Sequence, residues 1–303
     1  MNIRTLFIPL IFITMFGFTT MIDDLRAQSA SEDPVVLEET SRVVLYSEAV
    51  DDEFVIEVAL PYNYSPDSGP LPVLLITDGN MNFPVVLAAR LMIEFEGVPP
   101  FAIAGIGYHS RNEAFSKRFR DFTPSNPDIP ICRTELYQCG GADAFIDFIT
   151  DELVPFLADT YPIDSGNITL MGHSLGGLLA AWALLKKPHF FSGYIIGSPA
   201  YLWHGGLIFG EEERFAEKNN VLSTHIYMAS GGIEEHPESP FRGTEAIQQQ
   251  YRMVQTLLER NYDELQITSE IIPGESHMSV IPSLIYRGIR ALYQPEMFEI
   301  HAD

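Results

Sequence analysis

Six consecutive residues, Gly172-His173-Ser174-Leu175-Gly176-Gly177, place a serine where it could act as a nucleophile. The run follows a short apolar stretch, Ile168 to Met171, and precedes a helix-like one, 178–187, that Pro188 ends. The pattern predicts a strand, a sharp turn and a helix, with Ser174 at the tip of the turn. A serine held in a strained left-handed conformation leaves no space for side chains two residues to either side, and Gly172 and Gly176 stand there. Leu175 opens the helix, so its N–H and the positive end of the helix dipole face the space above Ser174 Oγ, where an oxyanion would form. Gly/Ser-rich turns of this spacing also occur without chemistry. The strand before it and the helix after it decide for a nucleophile.

A serine is a weak nucleophile until a base takes its proton. In chains where such an elbow joins a strand to a helix, the order is serine, acid, histidine, with the histidine on a loop after the last core strand. Residues 265–272 read as that strand, and Pro273-Gly-Glu-Ser-His277 follows as a turn. His277 is therefore the predicted base. His189, His225, His236 and His301 fit surface or structural roles; His173 is expected to point away from the nucleophile and pack, and His109 and His204 to line the pocket without moving a proton. The acid should follow the preceding strand, 223–230, which ends in Gly231-Gly-Ile-Glu234-Glu235. A carboxylate there would bond the second imidazole nitrogen and stabilise the imidazolium. Glu234 is preferred, and Glu235 stays open.

The elements that must position these groups alternate between strand-like and helix-like. Strands are expected at 41–47, 53–61, 72–76, 101–108, 191–197, 223–230 and 265–272, and helices at 84–94, 142–157, 178–187 and 246–260. The continuous apolar run at 72–76 suits a central strand covered on both faces. Segment 109–141 shows no regular period, is broken by Pro124, Pro127 and Pro130, and is expected to wall the pocket. Together these predict an α/β protein, with a mostly parallel central sheet of about eight strands and helices on both faces. The two cysteines, Cys132 and Cys139, predict a disulfide across a short loop, against the alternative of two free buried thiols.

The chain of 303 residues carries 41 acidic against 18 basic residues, a net charge of −23, which argues against nucleic-acid or anionic-membrane partners. Residues 1–27 are expected to be a signal peptide, from Arg4, the apolar run 6–18 and Ala27; an uncleaved anchor is the competing reading. Residues 28–40 form an acidic lead-in, and 41–303 the catalytic domain. No cofactor and no metal site is expected.

With these residues assembled, the chain resembles the putative-esterase family of α/β-hydrolases, and is most similar to its ferric-siderophore (enterobactin-type) esterase branch. The resemblance rests on Thr77-Asp-Gly-Asn80, Gly105-Ile-Gly-Tyr108, Arg120-Asp-Phe-Thr-Pro124, Gly140-Gly-Ala-Asp-Ala-Phe145, Asp151-Glu-Leu-Val-Pro155, the Ser174 elbow, Ser198-Pro199 and Gly274-Glu-Ser-His277. It implies the α/β-hydrolase fold, hydrolysis of small-molecule esters, and a second oxyanion donor from the backbone at Asn80 or Met81. The serine-proline segment usually continues with paired tryptophans; here Ala200-Tyr201-Leu202-Trp203 stands in, making Tyr201 and Trp203 candidate pocket residues. With only four lysines, Arg111, Arg118, Arg120 and Arg133 are the candidates to meet an anionic substrate, Arg120 foremost. The expected protein is an exported, periplasmic or secreted serine esterase that hydrolyses carboxylic esters, siderophore-type or acyl-sugar, through an acyl-enzyme. Acyl transfer to an alcohol is the alternative, and a silent ligand-binding protein a more distant one.

Overall fold

Alternate residues of the central strands face two different cores. The computed structural model describes residues 36–62 and 64–296, so the expected signal peptide lies outside the described residues. In β3 (Leu71–Ile76), Val73 and Leu75 join one core, and Leu74 and Ile76 the other. The same alternation runs through β4 (Ala102–Gly107), β6 (Gly193–Gly197) and β7 (Val221–Gly231). A strand with both faces covered has no polar side to show, which is why 72–76 reads as a continuous apolar run.

With β1 (Thr40–Ser47), β2 (Asp52–Ala59), β5 (Ile163–His173) and β8 (Asp263–Ile272), they form one eight-stranded sheet. Its order is β1-β2-β4-β3-β5-β6-β7-β8, with β1, β2 and β4 paired antiparallel and the rest parallel. This is the α/β-hydrolase fold, and all the strands belong to one compact unit that begins at Glu39.

Helix α1 (Gly79–Ile93) contributes Phe83, Val86 and Leu87 to the second core. The first core takes in α2 (Arg111–Phe122), α3 (Ala142–Asp147), α4 (Val154–Thr160), α5 (Leu175–Lys186), α6 (Leu207–Ala216) and α7 (Ala246–Arg260). Helix α8 (Val280–Tyr293) packs beside α1 on the second core. Residues 175–185 of α5 are all buried, because outer helices cover the side the sheet does not. Helices α6 and α8 are additional to the elements read from the sequence.

Segment 109–141, expected to lack regular structure, begins instead with the helix α2. Ser110 caps it, its Oγ accepting the Glu113 N–H at 3.2 Å, and Ser110 and Glu113 have the spacing of a capping box. The helix was hard to see because its apolar residues are few and its stripe is half arginine. The expected single helix over 142–157 is interrupted by a π-helical stretch, Phe148–Leu153. There Val154 N–H reaches back to the Ile149 carbonyl, just before Pro155, which has no N–H to continue the ladder.

Cys132 and Cys139 form a disulfide. Inside the loop it closes, Tyr137 packs edge-on against Phe115 and Phe119 of α2. Replacing both cysteines by serine should lower the unfolding free energy by about 2–3 kcal/mol at most, read from urea denaturation. An unchanged midpoint would mean that the Tyr137 contacts brace the loop unaided.

Candidate active site

Ser174 sits between β5 and α5 at φ 60°, ψ −116°, a conformation that side chains other than glycine's rarely adopt. A Cβ on Gly172 would lie 2.0 Å from the Gly176 carbonyl oxygen, and one on Gly176 would lie 2.5 Å from Thr77 Oγ1. No other residue fits at either place. Neighbours staple the turn: Ser174 N–H donates to the Gly197 carbonyl at 2.9 Å, and the Ser174 carbonyl accepts Leu178 and Ala200 N–H at 3.0 and 3.1 Å. These bonds hold a backbone that costs energy to form.

As the first residue of α5, Leu175 has an N–H with no acceptor inside the helix. The start of α1 repeats this arrangement one strand away. Asp78 adopts the left-handed region at φ 54°, and its carbonyl accepts both Met81 and Asn82 N–H at 2.9 Å. That occupies Met81 and leaves Asn80 N–H without a helical acceptor. The Asn80 side chain is clamped to the Tyr108 backbone, donating to its carbonyl and accepting its N–H, both at 2.7 Å. Two helix N-termini, and so two positive dipole ends, therefore meet the cavity that Ser174 and Asn80 line.

His277 enters the same cavity from the loop after β8. Its Nδ1 lies 2.7 Å from Glu234 Oε2, with both side chains buried. Glu234 follows β7, and its other oxygen, Oε1, accepts Gly231 N–H at 2.6 Å and Ser198 Oγ–H at 2.5 Å. Phe241 stacks on the imidazole, centroid to centroid at 4.1 Å. Glu235 turns the other way and accepts two bonds from Gln248, each 3.0 Å.

The cavity measures about 380 Å³. Arg111, Ala114, Phe115 and Arg118 present one face of α2 to it, and Met81, Phe241, Met278 and Ile281 make other walls apolar. Arg118 grips Asp78 with two bonds, 2.9 and 3.0 Å. Burial weakens the Arg118 cation, but Asp78 outweighs that and holds its pKa above the ordinary value.

Tyr201, Trp203 and Arg120 are not among the described residues lining this cavity. The Tyr201 ring is fully buried in the first core, its hydroxyl directed at Met228 Sδ. Trp203 donates to the Ser125 carbonyl at 3.3 Å. Arg120 ties α2 to β2 through Asp121 and Asp52, and Arg133 pairs with Asp128. His109 faces Glu53 and His204 faces Ser125, both on exposed positions rather than at the cavity. His173, expected to pack away, is buried but reaches the cavity, its ring 4.6 Å from that of His277. Of the expected arginines, Arg111 and Arg118 do line the cavity; unexpected is that they share one helical face with Ala114 and Phe115, at i, i+3, i+4, i+7 spacing. Among the described residues, no group of three or more His, Cys, Asp or Glu side chains is placed to hold a metal ion. Nor is any described helix long and apolar enough to cross a membrane.

A serine at a strand-to-helix elbow, with a buried Glu–His pair beyond the later strands of a mostly parallel sheet, defines an α/β-hydrolase. The chain belongs to the putative-esterase family, whose model, described as Putative esterase, matches residues 47–264. It is 34% identical to the ferri-bacillibactin esterase BesA of Bacillus subtilis over 254 residues, 80% of this chain and 85% of that protein. It is 32% identical to the siderophore triacetylfusarinine C esterase of Aspergillus fumigatus over 199 residues, covering 61% of this chain and 65% of the relative. The solved BES protein from Bacillus cereus is 31% identical, with a TM-score of 0.72, covering 86% of this chain and 97% of that one. The protein is a carboxylic ester hydrolase.

Burial, with the neighbouring His277 and Arg118 charges, holds the His173 imidazole well below its ordinary pKa of 6.5, and the ring bonds the His277 backbone. The folded protein thus keeps His173 neutral, while the unfolded chain takes up a proton there as pH falls below that value. Unfolding is then favoured on acidification, with a slope of up to about 1.4 kcal/mol per pH unit from this group. His173→Asn should flatten that slope in urea titrations between about pH 7 and about pH 5. An unchanged slope would assign the acid sensitivity to other groups.

Proposed function

We propose that this protein is an exported serine esterase that cleaves siderophore-type carboxylic esters through an acyl-enzyme. The observation that carries the reading is the buried Glu234–His277 pair opening on the cavity that also holds the strained Ser174. Glu234 bound to Nδ1 leaves Nε2 as the nitrogen that takes the Ser174 proton as Oγ attacks the acyl carbon. The carbonyl oxygen becomes an oxyanion, met by Leu175 N–H and Asn80 N–H at the two helix starts. His277 returns the proton to the departing alcohol, and water activated by the same imidazole releases the acid. Glu234 transfers no proton; it orients the ring and stabilises the imidazolium.

For the substrate, the support is the naming of several relatives as siderophore esterases together with two cavity arginines amid apolar walls. An ester with anionic and aromatic parts suits that mixture. Hydrolysis is preferred over acyl transfer because these relatives are named for hydrolysis; product analysis with an added alcohol acceptor separates the two. Export rests on residues 1–27, and the Cys132–Cys139 disulfide fits an oxidising compartment. Mass spectrometry of the native protein should find an N-terminus near Gln28; intact Met1 in a membrane fraction would mean an anchor.

Ser174→Ala and His277→Ala should each abolish nearly all turnover of an aryl ester and of a triserine trilactone, because nucleophile and base act as a unit. Glu234→Gln should lower kcat by roughly two to four orders of magnitude with KM little changed. Glu235→Gln should be mild. Full activity in Ser174→Ala would end the acyl-enzyme mechanism. A fluorophosphonate adduct anywhere but Ser174 would do the same.

A further inference from the structure

Ser198 has a backbone that suits glycine and a side chain that glycine lacks. It follows β6 with φ 38°, in the left-handed region, and it is 1% exposed. Pro199 comes next and restricts it further. Its N–H donates to the Ala229 carbonyl of β7 at 2.9 Å, so the bend is fixed against the neighbouring strand. Glycine would adopt this conformation without strain, whereas serine stores strain there. What serine adds is the hydroxyl, and it donates to Glu234 Oε1.

The effect on Glu234 follows from how its two oxygens are used. Oε1 receives Ser198 Oγ–H from the end of β6 and Gly231 N–H from the end of β7. Oε2 is left to face His277 Nδ1. A carboxylate with no solvent exposure relies on such donors in place of water, and donors placed on one oxygen fix which oxygen points at the imidazole. With the hydroxyl gone, Oε1 keeps a single donor, and the carboxyl group is freer to turn.

We propose that Ser198 is a positioning residue for ester hydrolysis: it fixes the orientation of Glu234 and, through Glu234, aims His277 at Ser174. The assignment rests on the Ser174–His277–Glu234 reading above. Ser198 touches neither substrate nor the reacting atoms.

The test compares Ser198→Ala and Ser198→Gly with Glu234→Gln and the double variant Ser198→Gly/Glu234→Gln in the full-length enzyme. Both Ser198 variants lose the hydroxyl, but glycine also relieves the strained backbone, so its Tm should exceed that of Ser198→Ala. Both should lose about 10- to 100-fold in kcat/KM, the size expected for one charge-assisted hydrogen bond, mainly through kcat. The acid limb of the kcat/KM–pH profile should move to higher pH, because a carboxylate with fewer donors holds the imidazolium more strongly. In the Glu234→Gln background the Ser198→Gly change should cost less than about threefold, since the group it acts through is neutral. A well-folded Ser198→Gly with parental kcat/KM and an unmoved acid limb would overturn the proposal while leaving an impaired Glu234→Gln, and hence the triad, intact. Additive losses in the double variant would also overturn it. Parental activity in Glu234→Gln would instead remove the triad reading on which it stands.

Discussion

The left-handed backbone at Ser174 is the constraint around which the site is arranged. A turn that tight admits no Cβ at Gly172 or Gly176, and it survives because adjoining strands hold it. Gly197, at the end of β6, takes its N–H, and Thr77, at the end of β3, fills the space beside Gly176. The residues ending β3, β5 and β6 are thus dictated by one dihedral angle. The same strand ends carry the second helix start at Asn80 and the bend at Ser198, so satisfying the elbow also delivers the groups around it.

Charge is organised against the grain of the molecule. The chain carries a net charge of −23, yet the cavity receives two arginines and the positive ends of two helices. The anions near it are buried and individually matched: Asp78 by Arg118, Asp121 by Arg120 and the Tyr108 hydroxyl, Glu234 by Ser198, Gly231 and His277. Buried carboxylates unmatched in this way would take up protons or open the structure. Because each is matched locally, the field inside the cavity is set by the helix starts and Arg111 rather than by the acidic exterior.

Much of this was legible from residue order. Alternating strand-like and helix-like segments, apolar runs and one glycine-flanked serine were enough for the sheet and the elbow, because each is a local signal tied to a backbone requirement. Chain order narrowed eight histidines to His277, and the strand end before it to two adjacent glutamates. Deciding between Glu234 and Glu235 needed three dimensions, since the turn after β7 sends neighbouring side chains to His277 and to Gln248. The cavity wall was less legible. Helix α2 was missed because its stripe mixes arginine with alanine and phenylalanine, a pattern that hydrophobic periodicity does not register, although the Ser110–Glu113 cap was in view. Tyr201 and Trp203 were read as pocket residues because they stand where the resembling family carries paired tryptophans; the structure spends them on the core and on Ser125.

Helix α2 has a consequence for how such a protein can diverge. The groups around Ser174 come from several strand ends locked to one another, so none can change alone. The face of α2 toward the cavity comes from a single continuous segment, anchored at one end by the Ser110 cap and at the other by Arg120 on Asp52 and Asp121. Arg111, Ala114 and Phe115 lie between those anchors and carry none of that load. Three codons within five positions can therefore redraw the size and charge of the cavity wall while the chemistry behind it stays fixed. Selectivity and reactivity are inherited on separate stretches of chain.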